Sequence, residues 1–303
     1  MTCIDTPVSP DITPSNGRGL PALPACVRRR GGVAILWGIA VATLLCAAPL
    51  QAAAATVHLE DLTWTEVRDL QRAGRTTVLI PVGGTEQNGP HMVLGKHNLR
   101  ARALAGKIAA ELGDALVAPV LAYTPEGHID PPNGHMRFVG TLSVPDDAFK
   151  AVLDGAARSL KQNGFADVVL LGDSGNYLGL LQAVVQRLNR DWSGPTGHGA
   201  RAYFIDAYYG TVQGDYVRAL RERGLTAAQI GTHAGVADTS LLLAMSPESV
   251  RLDRLAEAHA MGAAGGAAGD PRASSAALGQ IGVDLIVART AAAIRQARTA
   301  RPR

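Results

Sequence analysis

Short apolar runs alternate with longer amphipathic segments along the chain after residue 75. The apolar runs predict strands over residues 76–83, 115–121, 140–144, 167–171 and 201–206. The segments around them repeat apolar residues at helical spacing, which predicts helices over residues 98–112, 147–163, 178–190, 213–223, 239–245 and 281–299. This alternation predicts an α/β fold, a three-layer α/β/α arrangement with a mainly parallel central sheet.

Residues with special backbone roles mark the ends of several predicted helices. Asn98 and Asp146 are expected to cap the amino ends of two helices, because their side-chain oxygens can accept from free backbone N–H groups. Gly113 and Gly164 are expected to end those two helices. The glycine- and alanine-rich residues 263–269 predict a mobile loop.

Residues 1–55 differ in composition from the rest of the chain. Three consecutive arginines, Arg28 to Arg30, precede an apolar run over residues 33–50 and an alanine-rich stretch over 51–55. This order is typical of a cleaved signal peptide, so we expect a periplasmic or secreted protein. An uncleaved N-terminal membrane anchor is the alternative, because the run is long enough to span a bilayer. Residues 56–303 then form a single α/β domain.

Cysteine and charge usage narrow the chemistry of that domain. All three cysteines, Cys3, Cys26 and Cys46, lie in residues 1–55, so the domain has neither a thiol nucleophile nor thiolate metal ligands. Cleavage would change the net charge from +3 to +1. A nearly neutral domain gives no electrostatic reason to expect a nucleic-acid partner. We also expect no stable membrane association after cleavage.

Four polar loops, over residues 84–98, 126–135, 172–177 and 233–240, adjoin the apolar elements. Loops after parallel strands meet at one edge of a sheet, so carboxylates and imidazoles from them should converge on a metal or acid–base site. The convergent residues would be Glu86, His97, His135, Asp173, His233 and Asp238. Simpler interpretations stay open, because Asp173 could only cap a helix, and His91 and His135 could bond backbone carbonyls.

Residues 81–97, PVGGTEQNGPHMVLGKH, resemble the block PVGSTEQHGPHLPLGTD of the creatininase (creatinine amidohydrolase) family. Residues 135–143, 171–176 and 233–240 are similar, in order, to the family blocks HxxFPGTIS, NGHGGN and HAGExETS. The resemblance covers roughly residues 60–298. It implies a three-layer α/β homo-oligomer with one or two divalent metals, zinc or manganese, that hydrolyses C–N bonds of cyclic or formyl amides.

The resemblance also implies metal ligands, and several positions depart from the family pattern. Glu86 stands at a metal-ligand position, whereas Asn88 replaces a ligand histidine and His97 replaces a bridging aspartate. Ser174 aligns with another ligand histidine, and Asn176 aligns with a glutamate ligand of creatininase. A neutral imidazole does not bridge two metals, so we expect one ion, or at most two. The expected ligands are Glu86 and His97, with Asn88, Asp173 and Ser174 as weaker oxygen donors.

The remaining family positions suggest how a substrate is handled. His233 is expected to act as general acid–base, oriented by Asp238, although His233 could instead cap the following helix. His91, His135 and Asn176 are expected to bind the substrate. These roles lead to the hypothesis of a metal-dependent hydrolase of a small amide. Because several ligands are replaced, the alternative is a non-catalytic protein of this fold that binds a small amide or a partner protein.

Overall fold

The computed structural model describes residues 56–194 and 199–300. All of them belong to the compact unit Ala52–Arg303. The predicted signal peptide or membrane anchor and the three cysteines lie outside the described residues.

Four parallel strands form the central sheet. They are β1 (Thr77–Val82), β2 (Ala115–Val117), β3 (Asp167–Gly172) and β4 (Arg201–Phe204), in the order β2-β1-β3-β4. Val82 of β1 pairs with Gly172 of β3, so the two central strands end at the same level. The loops that follow β1 and β3 therefore start side by side.

Ten α-helices are found in the described residues. They are α1 (Trp64–Arg72), α2 (Lys96–Leu112), α3 (Asp146–Gln162), α4 (Leu178–Trp192), α5 (Ala207–Thr211), α6 (Val217–Glu222), α7 (Ala227–Ile230), α8 (Val236–Met245), α9 (Leu255–Met261) and α10 (Ala276–Thr299). A π-helical turn, Val212–Tyr216, joins α5 to α6, so the predicted helix over 213–223 is the second half of a longer helical segment.

Two apolar cores lie on opposite faces of the sheet. Val78 and Ile80 of β1 pack in one core with residues of α3 and α4. Leu79 faces the other core, which contains residues of α2, α8 and α10. Alternate residues of one strand thus enter different cores, as the pleat requires. The predicted three-layer α/β/α fold is confirmed.

The predicted strand over residues 140–144 is wrong. These residues form an irregular segment whose backbone bonds two loops: Leu142 N donates to Thr85 O at 2.9 Å, and Val144 N donates to Thr124 O at 3.3 Å. The burial runs against the apolar pattern, because Leu142 is exposed, whereas Thr141 is buried and its Oγ1 accepts from Gln87 N at 3.1 Å in the loop after β1. The segment therefore supports that loop without joining the sheet.

The two predicted helix caps are also corrected. Helix α2 starts at Lys96 after Gly95, which places Asn98 inside the helix. Asn98 Oδ1 instead accepts from Gly84 N at 2.9 Å and so ties α2 to the loop after β1. Asp146 is the first residue of α3 and makes no capping bond, since the N-cap position is Pro145.

The last helix is unusually long and apolar. Among the described helices, α10 passes a length and hydropathy test for spanning a membrane. It packs most closely on α8, where a side-chain carbon at Gly279 would lie 1.8 Å from Ser240 O. Burial of this face against α8 accounts for its apolar character and fixes α8 beside the sheet edge.

Candidate functional site

The carboxyl edge of the sheet carries a buried histidine held between two carboxylates. Glu86 follows β1, Asp173 follows β3, and His97 is the second residue of α2. His97 Nε2 lies 2.8 Å from Glu86 Oε1, and His97 Nδ1 lies 2.6 Å from Asp173 Oδ2. Burial and Lys96 lower the pKa of His97, but the two carboxylates outweigh them and raise it above its ordinary value. Each ring nitrogen thus faces a carboxylate oxygen, an arrangement that is satisfied when the ring donates at both nitrogens.

Two further cations lie on the same face of α2. Lys96 Nζ is 3.3 Å from Asp238 Oδ2, and Arg100 Nη1 is 2.6 Å from Asp238 Oδ1. Arg100 also reaches Asp173, with Nε 3.2 Å from Oδ2. Burial raises the pKa of Asp238, but Lys96 and Arg100 outweigh it and hold that pKa well below its usual range. We call Lys96, His97, Arg100, Asp173 and Asp238 the charged floor.

Two other histidines, His135 and His233, lie close to Glu86. His135 Nε2 lies 3.4 Å from Glu86 Oε2, and His233 Nδ1 lies 3.7 Å from Glu86 Oε1. One donor atom from each of the three residues lies within 4.8 Å of the others, a spacing that could hold a metal ion. Burial lowers the pKa of His135, and burial with Lys96 lowers that of His233 to about 4. We call Glu86, His135 and His233 the open cluster.

Gln87 links the two histidines of the open cluster. Its amide Nε2 lies 2.9 Å from His135 Nδ1 and 3.2 Å from His233 Nε2, while its backbone oxygen lies 3.0 Å from His233 Nε2. Its Oε1 accepts from Gly89 N at 3.0 Å. Gly266, in the predicted loop 263–269, has a φ of +83°, and a side-chain carbon there would lie 1.8 Å from Gln87 Oε1. The loop therefore leaves room for this amide.

The charged floor and the open cluster line one pocket of about 160 Å³. Tyr209 and Asn176 complete its wall, and a neighbouring groove of about 980 Å³ shares His135 and Asn176. Glu126 lines the groove and accepts from Asn176 Nδ2 at 2.8 Å and from Thr124 Oγ1 at 2.7 Å. Burial, with the charge of Glu86, raises the pKa of Glu126 to about 7. Glu126 is thus poised to exchange a proton near neutral pH.

All six residues that were predicted to converge line the pocket, but two of the other predicted site residues do not. The pocket lining includes eight of the predicted site residues, namely Glu86, His97, His135, Asp173, Ser174, Asn176, His233 and Asp238. Asn88 lies elsewhere, fully buried, and donates to Glu86 O at 2.8 Å. His91 is also fully buried, and its Nε2 lies 2.9 Å from Thr239 Oγ1. Asn88 and His91 therefore support the loops and neither faces the pocket.

The observed contacts differ from the predicted roles at several residues. Both nitrogens of His97 are engaged by carboxylates, so it has no free lone pair for a metal. Ser174 Oγ accepts from Asn176 N in a short 3₁₀ turn. Asp238 bonds Lys96, Arg100 and Ala234 N and makes no hydrogen bond to His233. Gln87, and not Asp238, holds the His233 ring, and His233 does not cap α8, whose N-cap is Gly235.

Three residues with strong site contacts were missed from the sequence. Lys96 and Arg100 stand four residues apart on an amphipathic helix, a spacing that normally indicates a solvated face. Glu126 lies in the polar loop over residues 126–135, and nothing in the sequence of that loop distinguishes it. A usable signal was the pair Lys96-His97, which stands where the family block has threonine and aspartate.

The open cluster fits a single divalent ion. Two imidazoles and one carboxylate are a donor set of catalytic zinc sites. Within the described part of the chain, the buried Glu86 Oε2 has no hydrogen-bond partner. The side chains of His135 and His233 are 25% and 18% exposed, so the cluster adjoins the pocket. The charged floor, in contrast, does not fit an ion, because its carboxylates already bond cations.

Comparison with known proteins places the chain in a family. The sequence model of the creatininase family (creatinine amidohydrolase) matches residues 60–294, so this protein belongs to that family.

Characterised relatives have several activities. The mycofactocin precursor peptide peptidase of Mycolicibacterium smegmatis is 31% identical over 186 residues, which are 59% of this chain and 61% of the relative. The match therefore spans about three fifths of that protein. The creatinine amidohydrolase of Pseudomonas putida is 28% identical over 205 residues, 67% of this chain and 76% of the relative.

Solved creatininase structures share the fold. A crystal structure of creatinine amidohydrolase superimposes with a TM-score of 0.67 at 24% identity, over 80% of this chain and 97% of the other. Related creatininase structures include a variant of the Zn-Zn type and a Mn form, with TM-scores of 0.66 and 0.65. Zinc and manganese are thus found in proteins of this fold.

Proposed function

We propose that this protein hydrolyses the C–N bond of a small amide with one divalent ion, zinc or manganese, held by the open cluster. The main supporting observation is that Glu86, His135 and His233 lie close together beside the pocket, and that the buried Glu86 Oε2 accepts no hydrogen bond. Membership of a family that contains a creatinine amidohydrolase and a precursor peptide peptidase supports hydrolysis of an amide.

A divalent ion at this site would lower the pKa of a water molecule and polarise the substrate carbonyl. The chain's own residues prepare the site. His97 and Lys96 keep the Glu86 carboxylate ionised, since burial raises its pKa but both neighbours lower it further. Gln87 fixes the two imidazole rings, as outer partners of ligand histidines do.

Proton transfer is assigned to Glu126. As a ligand, His233 cannot also serve as the general acid–base that the sequence suggested. Glu126 has a pKa of about 7, lines the groove and is held by Asn176 and Thr124. The carboxyl group of Glu126 can accept a proton from water and then donate it to the leaving nitrogen.

The pocket volume favours a small acyl group. About 160 Å³ suits a cyclic or formyl amide, and the neighbouring groove offers room for a longer leaving group. Export of the protein and assembly into a homo-oligomer stay predictions. They depend on residues 1–55 and on the family resemblance, respectively.

The test is hydrolysis of a panel of cyclic amides, formyl amides and short peptides by chelator-treated protein, before and after addition of Zn²⁺ or Mn²⁺. We expect at least one amide to be cleaved only after addition. Glu86→Gln should abolish that activity, while Glu257→Gln, the same change at an exposed residue of α9 outside the pocket and the groove, should retain it. Metal-independent hydrolysis, or an active Glu86→Gln variant, would refute the proposal.

A non-catalytic role is the second candidate, favoured by the charged floor, whose carboxylates are already paired. In that case the pocket would bind a small amide or a partner protein without cleaving it. A ligand that binds the folded state raises its melting temperature. Zn²⁺ and Mn²⁺ that leave Tm unchanged, together with an inert amide panel, would favour this candidate.

A further inference from the structure

The carboxylate of Asp173 has no oxygen left for a metal ion. Its Oδ1 accepts from Tyr208 OH at 2.8 Å and from Arg100 Nη2 at 3.3 Å. Its Oδ2 is 2.6 Å from His97 Nδ1 and 3.2 Å from Arg100 Nε. The side chain is fully buried. An ion at Asp173 would therefore have to displace a buried cation.

Asp238 is engaged in the same way. Its Oδ1 accepts from Arg100 Nη1 at 2.6 Å, and its Oδ2 accepts from Lys96 Nζ at 3.3 Å and from Ala234 N at 3.0 Å. Glu86 Oε1 accepts from His97, which leaves Glu86 Oε2 as the one oxygen of these three carboxylates that accepts no hydrogen bond; His135 Nε2 of the open cluster lies 3.4 Å from it. Of these carboxylate oxygens, only Glu86 Oε2 is thus available to a metal ion without the loss of a hydrogen bond.

The cations stand at an unfavourable place in their helix. Lys96 and His97 are the first two residues of α2, whose first turn contains no acidic residue and whose N-cap makes no side-chain bond. The amino end of a helix carries partial positive charge, so cations there lower helix stability. The three carboxylates of the site offset this effect, which indicates that the cations are placed to neutralise them.

We propose that Lys96, His97 and Arg100 act as a built-in substitute for a second metal ion: they neutralise the carboxylates of the site and limit it to one divalent ion. The first part rests on the contacts of the charged floor, and the count of one ion rests on the proposed function. Removal of the two cations at the start of α2 should convert the floor into a second divalent-ion site.

The test is the double variant Lys96→Thr with His97→Asp. These are the residues that the family block GTD has at the two positions, so the backbone is expected to accept them. Shortening Lys96 vacates space beside Asp238 and Glu86, and the aspartate adds an oxygen donor, which divalent ions accept readily. Lys107→Thr, on the exposed side of the same helix, is the matched control.

Metal content is measured by elemental analysis after equilibrium dialysis against Zn²⁺ or Mn²⁺, and Tm is measured with and without the ion. We expect the double variant to bind one equivalent more than wild type and to gain more in Tm on metal addition, while Lys107→Thr matches wild type. Two equivalents in wild type, or no increase in a folded double variant, would overturn the inference. If the double variant fails to fold without metal, dialysis during refolding supplies the ion, and the same comparison applies.

The two proposals fail in different ways. If wild type binds no ion and the double variant binds one, the proposed function fails but the inference stands. If wild type binds one and the double variant also binds one, the inference fails but the proposed function stands.

Discussion

The charged floor and the open cluster share one pocket but differ in how their polar atoms are satisfied. In the charged floor, each carboxylate bonds at least two cations, and the side chains of Lys96, Arg100 and Asp173 are almost wholly buried. In the open cluster, burial lowers the pKa values of His135 and His233, both rings are partly exposed, and Glu86 Oε2 accepts no hydrogen bond. Fully paired groups build a rigid frame, whereas unpaired ones are available for a ligand. The charged floor therefore has a structural role, and the open cluster beside it is the part of the pocket that can bind a ligand.

The largest effect is expected from breaking the charged floor. Arg100→Met keeps most of the buried volume but leaves Asp173 and Asp238 short of a cation, which should lower the free energy of unfolding by roughly 3–5 kcal/mol. Urea unfolding followed by circular dichroism measures this loss. Arg102→Met, on the same helix with a side chain 36% exposed, should change stability by about 1 kcal/mol or less. Equal effects of the two changes would show that the charged floor does not contribute specially to stability.

Breaking the open cluster should affect metal affinity instead of stability. His135→Ala removes one of three donors from a partly exposed position, so affinity for Zn²⁺ should fall by more than about 100-fold, beyond the loss typical of an outer partner. Competition with a chromogenic chelator measures the affinity, and urea unfolding without metal should be nearly unchanged. Unchanged affinity would remove His135 from the proposed ligand set.

Gln87 contacts both histidines of the open cluster but is not itself a proposed metal ligand. Gln87→Leu removes the amide that holds both histidine rings and should weaken Zn²⁺ binding by roughly 10–100-fold. Gln71→Leu, at a largely surface position of α1, is a suitable control. Wild-type affinity in Gln87→Leu would mean that the loops alone orient the two rings.

The smallest effect is a pH dependence of stability that arises from His97. Its folded-state pKa is raised above the ordinary value of 6.5, so its stabilising contribution is fully present below that value and is lost as pH rises through the folded pKa. The free energy of unfolding of wild type should therefore decrease more on the alkaline side than that of His97→Gln. Parallel pH profiles of the two proteins would show that His97 is not an imidazolium in the native state.

The central sheet and the position of the site at its edge could be predicted from the sequence. The central strands β1 and β3 are mostly apolar and buried along their whole length, and the polar loops after them are expected to meet at one edge of a parallel sheet. Glu86 and Asp173 are therefore expected near one another, and they line one pocket.

The pairing inside the site could not be predicted, because it depends on long-range geometry. Asp238 follows His233 by only five residues, yet the start of α8 directs its carboxylate to Arg100, 138 residues away. The burial of Lys96 likewise depends on carboxylates that arrive from other loops. A two-residue error in the start of α2 turned Asn98 into a predicted cap and hid the two cations of its first turn.

The most direct test of the account is anomalous diffraction from crystals grown with Zn²⁺ or Mn²⁺. The account predicts one peak, bounded by Glu86 Oε2, His135 Nε2 and His233 Nδ1, with His97 still bonded to both carboxylates. A peak among the carboxylates of the charged floor, two peaks, or no peak at saturating metal would contradict it.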